Sequence, residues 1–316
     1  MANTIAYATL FQQALDKQAV AKLTSGWMDD NAGQVIYNGG KEIKIPKISM
    51  DGLADYDRAN GFNEGSVTLE YETKTMTQDR GRSFSLDAMD VDETNFVANA
   101  TNVMGTFQAT KVIPEIDAYR YSKIASLAIA ATTAESSTLE LAVGGNTITA
   151  ANVLEKLKAD IAYVQDIVGE DVPLVISMSA LIASLLDQSE KVSKYIDTTD
   201  FKKGDLTTKV KSIDEIPIIK VPSARLKTAY TFNDGKTSGQ TKGGFVAATG
   251  AKNINWMITP RTAPIAVNKT DKIRIFDPNV NQKGDAWKLD YRKYHDLWVM
   301  DEALKLCRVN IKEALA

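Results

Sequence analysis

The chain has 316 residues, 44% of them hydrophobic and 24% charged, with 37 Lys and Arg against 40 Asp and Glu for a net charge of −3. At roughly 150 residues per domain, this makes one large or two smaller globular domains with a sizeable core. The near-neutral balance argues against a protein whose affinity comes from neutralising many phosphates, and leaves room for weak, local contact with nucleic acid. The single cysteine, Cys307, rules out an intrachain disulfide and any metal site built on paired thiolates. The single histidine, His295, rules out two-histidine zinc sites. The opening MANTIAYATLFQQ lacks the basic-then-apolar order of a secretory signal. The longest apolar run, Ile124 to Ala131, falls far short of the roughly 20 residues that cross a bilayer. These features read as a soluble intracellular protein.

From the N-terminus, Thr4 to Trp27 places Phe11, Leu15, Ala19, Leu23 and Trp27 at i, i+4 spacing, one apolar stripe along a helix. Gly26 interrupts it, and MDDNAG follows as a turn-rich break. Such a terminal helix must lie against its own domain or against a neighbouring subunit, and the spacing leaves both open. Asn38-Gly39 marks a tight turn between two strand-like runs, the second holding Ile43, Ile45 and Ile48. Ser49 to Gly65 has no period and is rich in Gly, Asp and Asn, a long loop of the functional or mobile kind. Val67, Leu69 and Tyr71 then alternate as a strand, Asp79-Arg80-Gly81 reads as a turn, and Phe84 and Leu86 resume strand character. Val35 to Met89 is thus expected to be an extended ribbon around a long tip. It has little core of its own and needs a cover.

The period then becomes helical. Asp92 and Thr94 are candidate N-caps, and Asp92 to Val112 makes a rod of roughly 30 Å. Pro114 is expected to kink it or to start a second helix. Glu135 to Thr147 is a polar low-complexity stretch expected to hold a short strand pair. A helix over Ala150 to Ile167, a strand over Pro173 to Ser177 and a helix over Ser179 to Leu186 follow. A buried-type strand covers Ile216 to Val221, where Pro217 predicts an edge or a bulge. These elements form an α/β unit from Val143 to Lys252. The C-terminal part returns to strands in NINWMIT, APIAVN, KIRIF, WKLDYRKYHDLWVM and KLCRVNI, expected to pair with the strands before the first long helix.

The familiar catalytic motifs fail on inspection. Gly235-Lys236-Thr237 ends like a phosphate-binding loop, but Tyr230 stands where its leading glycine must be, so a polar hairpin turn is the better reading. Gly40-Lys41 fails likewise, with Val35 and Glu42 at the required Gly and Ser/Thr positions. Asp87, Asp90, Asp92 and Glu93 have neither the spacing nor the central glycine of a calcium loop; acids at a helix start explain Asp92. His295 and Cys307, a conceivable base and nucleophile, both sit in strand-like runs and read as packing residues.

The order of elements is arm, long two-stranded loop, long helix, α/β unit and returning strands. It resembles the Hong Kong 97 type capsid fold, of α+β class. GGKEIKIPKISMDGLADYDRANGF, TQDRGRSFSLDAMDVDETNF, TKVIPEIDAYRYSKIA, INWMITPRTAPIAV and YRKYHDLWVMDEA are similar to segments of major capsid proteins from tailed phages and prophages of Gram-positive bacteria. The resemblance spans nearly the whole chain. It implies an N-terminal arm (1–34), a ribbon known as the E-loop with peripheral-domain strands (35–91), and a spine helix with more of the peripheral domain (92–142). An axial domain (143–252) and returning peripheral strands (253–316) complete it.

The resemblance further implies assembly with other copies into hexamers and pentamers of an icosahedral shell around double-stranded DNA. A separate scaffolding protein and a portal would be partners, and contact with the packaged DNA weak and non-specific. No membrane, cofactor, metal or catalysis is implied, and the location is the virion, assembled in the host bacterial cytoplasm. The candidate contact residues are Asp55, Asp57 and Arg58 in the loop and Phe11, Leu15 and Trp27 on the arm stripe. Some capsids of this fold join a loop lysine covalently to a neighbour's asparagine. Here Ser49 to Gly65 holds no lysine, Lys47 precedes it and Lys74 follows it, so a non-covalent shell is expected. The alternatives are an encapsulin-type nanocompartment holding enzyme cargo, a carboxylate-based small-molecule enzyme in the α/β unit, and a tail or adhesin module.

Overall fold

The computed structural model describes residues 23–37, 40–56, 58, 61–62, 64–89, 100–133, 140–189, 196–203, 206–278, 280–281 and 284–315. The arm through Phe11, Leu15 and Ala19, the Asn38-Gly39 turn and the expected caps Asp92 and Thr94 lie outside them. A 3-10 segment, Gly26–Gln34, leads into β1 (Ile36–Tyr37), β2 (Glu42–Met50), β3 (Val67–Thr75) and β4 (Gln78–Asp87). A long helix follows as α1 (Ala100–Phe107), a π-helical turn (Gln108–Val112) and α2 (Ile113–Thr133). Next come β5 (Ala142–Val143), α3 (Val153–Val168), β6 (Leu174–Ser179), α4 (Ala180–Asp187), β7 (Ile196–Lys203), β8 (Leu206–Ile213) and β9 (Ile216–Val221). The chain closes with β10 (Tyr230–Phe232), β11 (Phe245–Ala247), β12 (Ile254–Pro260), β13 (Pro264–Phe276), β14 (Ala286–Val299), α5 (Asp301–Leu304) and β15 (Arg308–Ile311).

The helix from 100 to 133 does not stop at Pro114. Proline lacks an N–H and its ring collides with the carbonyl four residues back. The five residues ending at Val112 widen to π geometry instead, which relieves the collision without ending the rod. At about 1.5 Å per residue the rod is about 50 Å long.

A seven-stranded sheet, ordered β5-β15-β12-β6-β9-β8-β7, lies between two apolar layers. Val175, Ile219, Val221, Met257, Val309 and Ile311 face α2 and the 3-10 segment. Ile176, Met178, Ile218, Trp256 and Ile258 face α3 and α4. Both faces are covered, which is why β6 and β12 are buried at every position. Within the second layer, Asp160 of α3 is held by Trp256 Nε1 (2.9 Å), Asn310 Nδ2 (2.8 Å) and Arg308 Nε (3.0 Å), so the buried carboxylate is fully hydrogen-bonded.

Several expectations change here. The sheet takes β12 and β15 from beyond residue 252, because their apolar faces complete both layers; the α/β unit is not confined to 143–252. The stretch before Thr147 holds no strand pair among its described residues: β5 pairs in parallel with β15. Pro217 is neither at an edge nor in a bulge. Strand β9 lies between β6 and β8, and Pro217 sits one pair from the tight Asp214-Glu215 turn, where the β6 ladder has not yet begun, so no ladder bond needs its N–H. Asp79-Arg80-Gly81 is not a turn but part of β4, paired with β14 across Tyr294, Lys293 and Arg292. A Cβ on Gly81 would stand 2.7 Å from the Tyr291 carbonyl oxygen, so the glycine serves a close backbone approach. The other sheets are β13-β14-β4, which carries α1 through Met104 and Phe107 against Leu289 and Tyr291, the ribbon β1-β2-β3 and the hairpin β10-β11. As expected, a C-terminal strand pairs with one that precedes the long helix.

Candidate functional site

Strands β2 and β3 pair along their full lengths, from Glu42↔Thr75 to Met50↔Val67. At the base, Ile43 and Ile45 turn one face into a core with Val35, Met76, Ile265, Val267, Tyr294 and Trp298. The body ends there, and every residue of β2 from Lys47 on is exposed. On the opposite face Ile48 stands across from Leu69 and Met50 from Val67, with Pro46 across from Tyr71. Directly paired residues share a face, so Ile48, Met50, Val67, Leu69 and Tyr71 form one apolar stripe. They are 51–70% exposed. At the tip, Tyr56 and Phe62 meet in a tilted contact with centroids 4.9 Å apart while remaining 59% and 88% exposed. The carboxylate of Asp51 accepts from the backbone N–H (2.7 Å) and hydroxyl (2.8 Å) of Ser66, closing the loop and holding that carboxyl below its usual range.

The ribbon leaves the body beside an ion pair, Lys47 Nζ to Asp301 Oδ2 at 2.9 Å. The hydrogen bond from Lys47 raises its pKa, with the Asp301 charge adding to it. Both groups are more than half exposed, so the pair orients the ribbon without adding much stability.

The N-terminal segment is fixed more firmly. Asp117 of α2, fully buried, accepts from the backbone N–H of Thr24 and Ser25, from the Ser25 hydroxyl (2.7 Å) and from Arg225 (3.2 Å). One helical turn away, fully buried Arg120 donates to the Ser25 carbonyl (2.9 Å) and to both oxygens of Asp29. These bonds repay the desolvation of two charges that would otherwise be costly. They hold Thr24 and Ser25 against α2.

Of the residues singled out from sequence, Asp55 and Arg58 are exposed at the tip, while Asp57, Phe11 and Leu15 lie outside the described residues. Trp27 is a correction: at 2% exposure it packs with Met28, Tyr121 and Ile124 in the core of its own chain, so it is not a surface contact. The stripe on the ribbon was missed as a site, although the alternation of Val67, Leu69 and Tyr71 already displayed it. His295 and Cys307 are both buried. Burial, with Arg120, Lys293 and Arg80 nearby, lowers the imidazole to about 3. Burial pushes the thiol up to about 12. A neutral thiol beside no charged imidazole is packing, not a nucleophile. Gly235 lies in the β10–β11 connection with positive φ, as a polar hairpin turn requires.

No known family model matches the chain, and no curated protein matches it in sequence. Solved structures match it in fold. The asymmetric unit of the bacteriophage PhiM1 mature capsid aligns with a TM-score of 0.56, covering 87% of this chain and 83% of that one at 12% identity. The capsid structure of Staphylococcus phage Andhra gives 0.54 over 100% and 88% at 11% identity. The capsid structure of the cyanophage P-SCSP1u gives 0.54 over 98% and 90% at 11% identity. The chain has the phage-capsid fold. At this identity the phage-capsid fold is kept by the order and packing of elements, with most residues replaced. Its neighbours include a Staphylococcus phage and a cyanophage, so the fold does not sort hosts.

Proposed function

We propose that this chain is the major capsid protein of a tailed phage, assembling as hexamers and pentamers into an icosahedral shell around double-stranded DNA. The ribbon is the E-loop, α1 to α2 the spine, the β13-β14-β4 sheet the peripheral domain and the seven-stranded sheet with its helices the axial domain. A separate scaffolding protein and a portal complete the assembly, and the chain itself is a building block, not a catalyst.

One observation carries the reading: a folded ribbon that presents an unpartnered apolar face. Full burial of such a side chain is worth about 1.5–3 kcal/mol. The stripe residues are half to two-thirds exposed, so covering all five stabilises an assembly by roughly 5 kcal/mol. Exposed ion pairs contribute about 0–1 kcal/mol each. The stripe therefore drives association, and the charged tip residues Asp55, Asp57 and Arg58 tune it.

Electron microscopy of the full chain tests this. Produced alone and together with its scaffolding protein, it is expected to give rings or closed shells, and particles from phage-producing cells should contain DNA. Monomers alone at every salt and pH would overturn the reading. Closed shells filled with protein and free of DNA would move it to a nanocompartment.

A further inference from the structure

A cleft of 580 Å³ opens between β4, the π-helical turn and the loop joining β10 to β11. Small-molecule sites commonly measure about 300–1,000 Å³. Arg80 ties the three sides together: it pairs with Glu115 in the first turn of α2 and donates to the Gly244 carbonyl of the loop at 3.2 Å. Six cations border the cleft against three acids, and every acid is engaged. Glu115 takes Arg80, and Asp79 takes the Arg292 guanidinium through both oxygens. Asp234 accepts the backbone N–H of Lys236 and Thr237 and the Thr237 hydroxyl, all within its own turn. Among the cations, Lys293 is paired with Asp271, and Arg82 reaches the Thr241 carbonyl at 3.4 Å. Lys111, Lys236 and Lys242 are exposed and have no ion-pair partner among the described residues.

These three lysines come from two elements, Lys111 from the π-helical turn and the other two from the loop. The cleft also has an aromatic wall. Phe84 meets Phe107 edge to face with centroids 4.9 Å apart, and Phe107 meets Tyr291 in the same way at 5.9 Å. Phe84 and Phe107 are only half-buried. A phosphate alone would satisfy the lysines and leave this wall bare. Duplex DNA would do the same, because its bases are paired and stacked inside. A phosphate chain joined to an open aromatic ring uses both surfaces, and a base lies well on an aromatic side chain whatever its sequence.

We infer that the cleft binds a nucleoside polyphosphate, its phosphates at Lys111, Lys236 and Lys242 and its base against Phe84 and Phe107. The site is not the phosphate loop that the spacing around Gly235-Lys236-Thr237 excludes, since lysine side chains supply the charge. Gly235 and Gly243, both at positive φ, turn the loop around the Arg82 guanidinium. Because β4, the helix and the loop all border the cleft, a bound nucleotide ties them together. It therefore stabilises the folded chain in step with its occupancy. A free nucleotide and an unpaired nucleic-acid strand share this chemistry. The inference stands apart from the shell reading, because the whole cleft lies within one chain.

Calorimetric titration of the full chain before assembly tests it, with adenosine triphosphate, tripolyphosphate, adenosine, a short single-stranded oligonucleotide and a short duplex as probes. Adenosine triphosphate is expected to bind at least about tenfold more tightly than tripolyphosphate or adenosine, and to raise the melting temperature. Lys236→Glu with Lys242→Glu, on an exposed loop, should weaken that binding at least about tenfold while the ligand-free melting temperature stays unchanged. Phe84→Leu should weaken adenosine triphosphate and leave tripolyphosphate as it was, a split that general unfolding would not give. Should Phe84→Leu fail to fold, the ratio of the two affinities in the wild-type chain still decides. Tighter binding of the single-stranded oligonucleotide than of adenosine triphosphate keeps the nucleoside-phosphate chemistry and assigns it to an unpaired strand. Tripolyphosphate binding as well as adenosine triphosphate, a duplex binding more tightly than either, or indifference to the lysine reversal would each overturn the inference.

Discussion

His295 is the residue whose chemistry is most altered by the fold. The imidazole is buried among Arg120, Lys293 and Arg80, and its pKa falls to about 3 from the usual 6.5. A depressed histidine is neutral in the native state, while the unfolded chain binds a proton below pH 6.5. The linkage slope is then about 1.4 kcal/mol per pH unit in favour of unfolding as pH falls. The stability is complete above pH 6.5 and is lost as pH drops towards 3. Because it is the only histidine, the window from pH 6.5 to 5 belongs to it. Urea unfolding of unassembled protein is expected to show a loss of roughly 2 kcal/mol across that window, and His295→Gln should flatten the slope. A wild-type profile already flat there would show that the imidazole is not buried in a neutral state.

The ribbon and the helix show how elements depend on what lies beside them. Beyond Ile45, β2 and β3 form ladder pairs only with each other, and a lone two-stranded ribbon is marginal in water. Its amides from Lys47 to Met50 and from Val67 to Tyr71 should exchange quickly in unassembled protein. In shells they should slow by about tenfold or more, the factor that about 1.4 kcal/mol of added cover gives. Equal protection before and after assembly would mean that no neighbour lies on the stripe. The helix shows the opposite dependence. Pro114 would end an isolated helix, yet α1 and α2 remain one rod because the chain is held on both sides of the proline: Met104 and Phe107 by the β13-β14-β4 sheet, Asp117 and Arg120 by the N-terminal segment.

For the whole molecule, the question is whether its contacts are covalent. An isopeptide lock needs a neutral amine beside an amide. Ser49 to Gly65 contains no lysine. Lys47 is held as an ammonium by Asp301, and Lys74 lies against Glu72. The shell is therefore expected to run on a denaturing gel as a single band near 34.5 kDa. A ladder of covalent multimers would contradict this and make Lys47 the first residue to replace. Non-covalent shells of this kind gain their stability from the number of covered stripes, so assembly should strengthen steeply with protein concentration.

Periodicity and turn chemistry are local, and what they encode was legible in the sequence: α3, β6, α4 and the paired ribbon run close to where alternation and i, i+4 spacing place them. The resemblance of whole segments carried the fold class. Tertiary contact decided the rest. Asp79-Arg80-Gly81 has the composition of a turn, but pairing with β14 makes it strand, and only the partner's backbone shows why Gly81 must lack a side chain. Trp27 falls on the arm stripe in sequence, but the Asp117 and Arg120 bonds hold Ser25 on α2 and place Trp27 in the core. Strands β12 and β15 join a sheet that begins far upstream, because a seven-stranded sheet buried on both faces takes apolar strands from wherever the chain can supply them. Spacing along a chain records which face a side chain shares with its near neighbours; whether that face meets a core, solvent or another copy depends on distant residues.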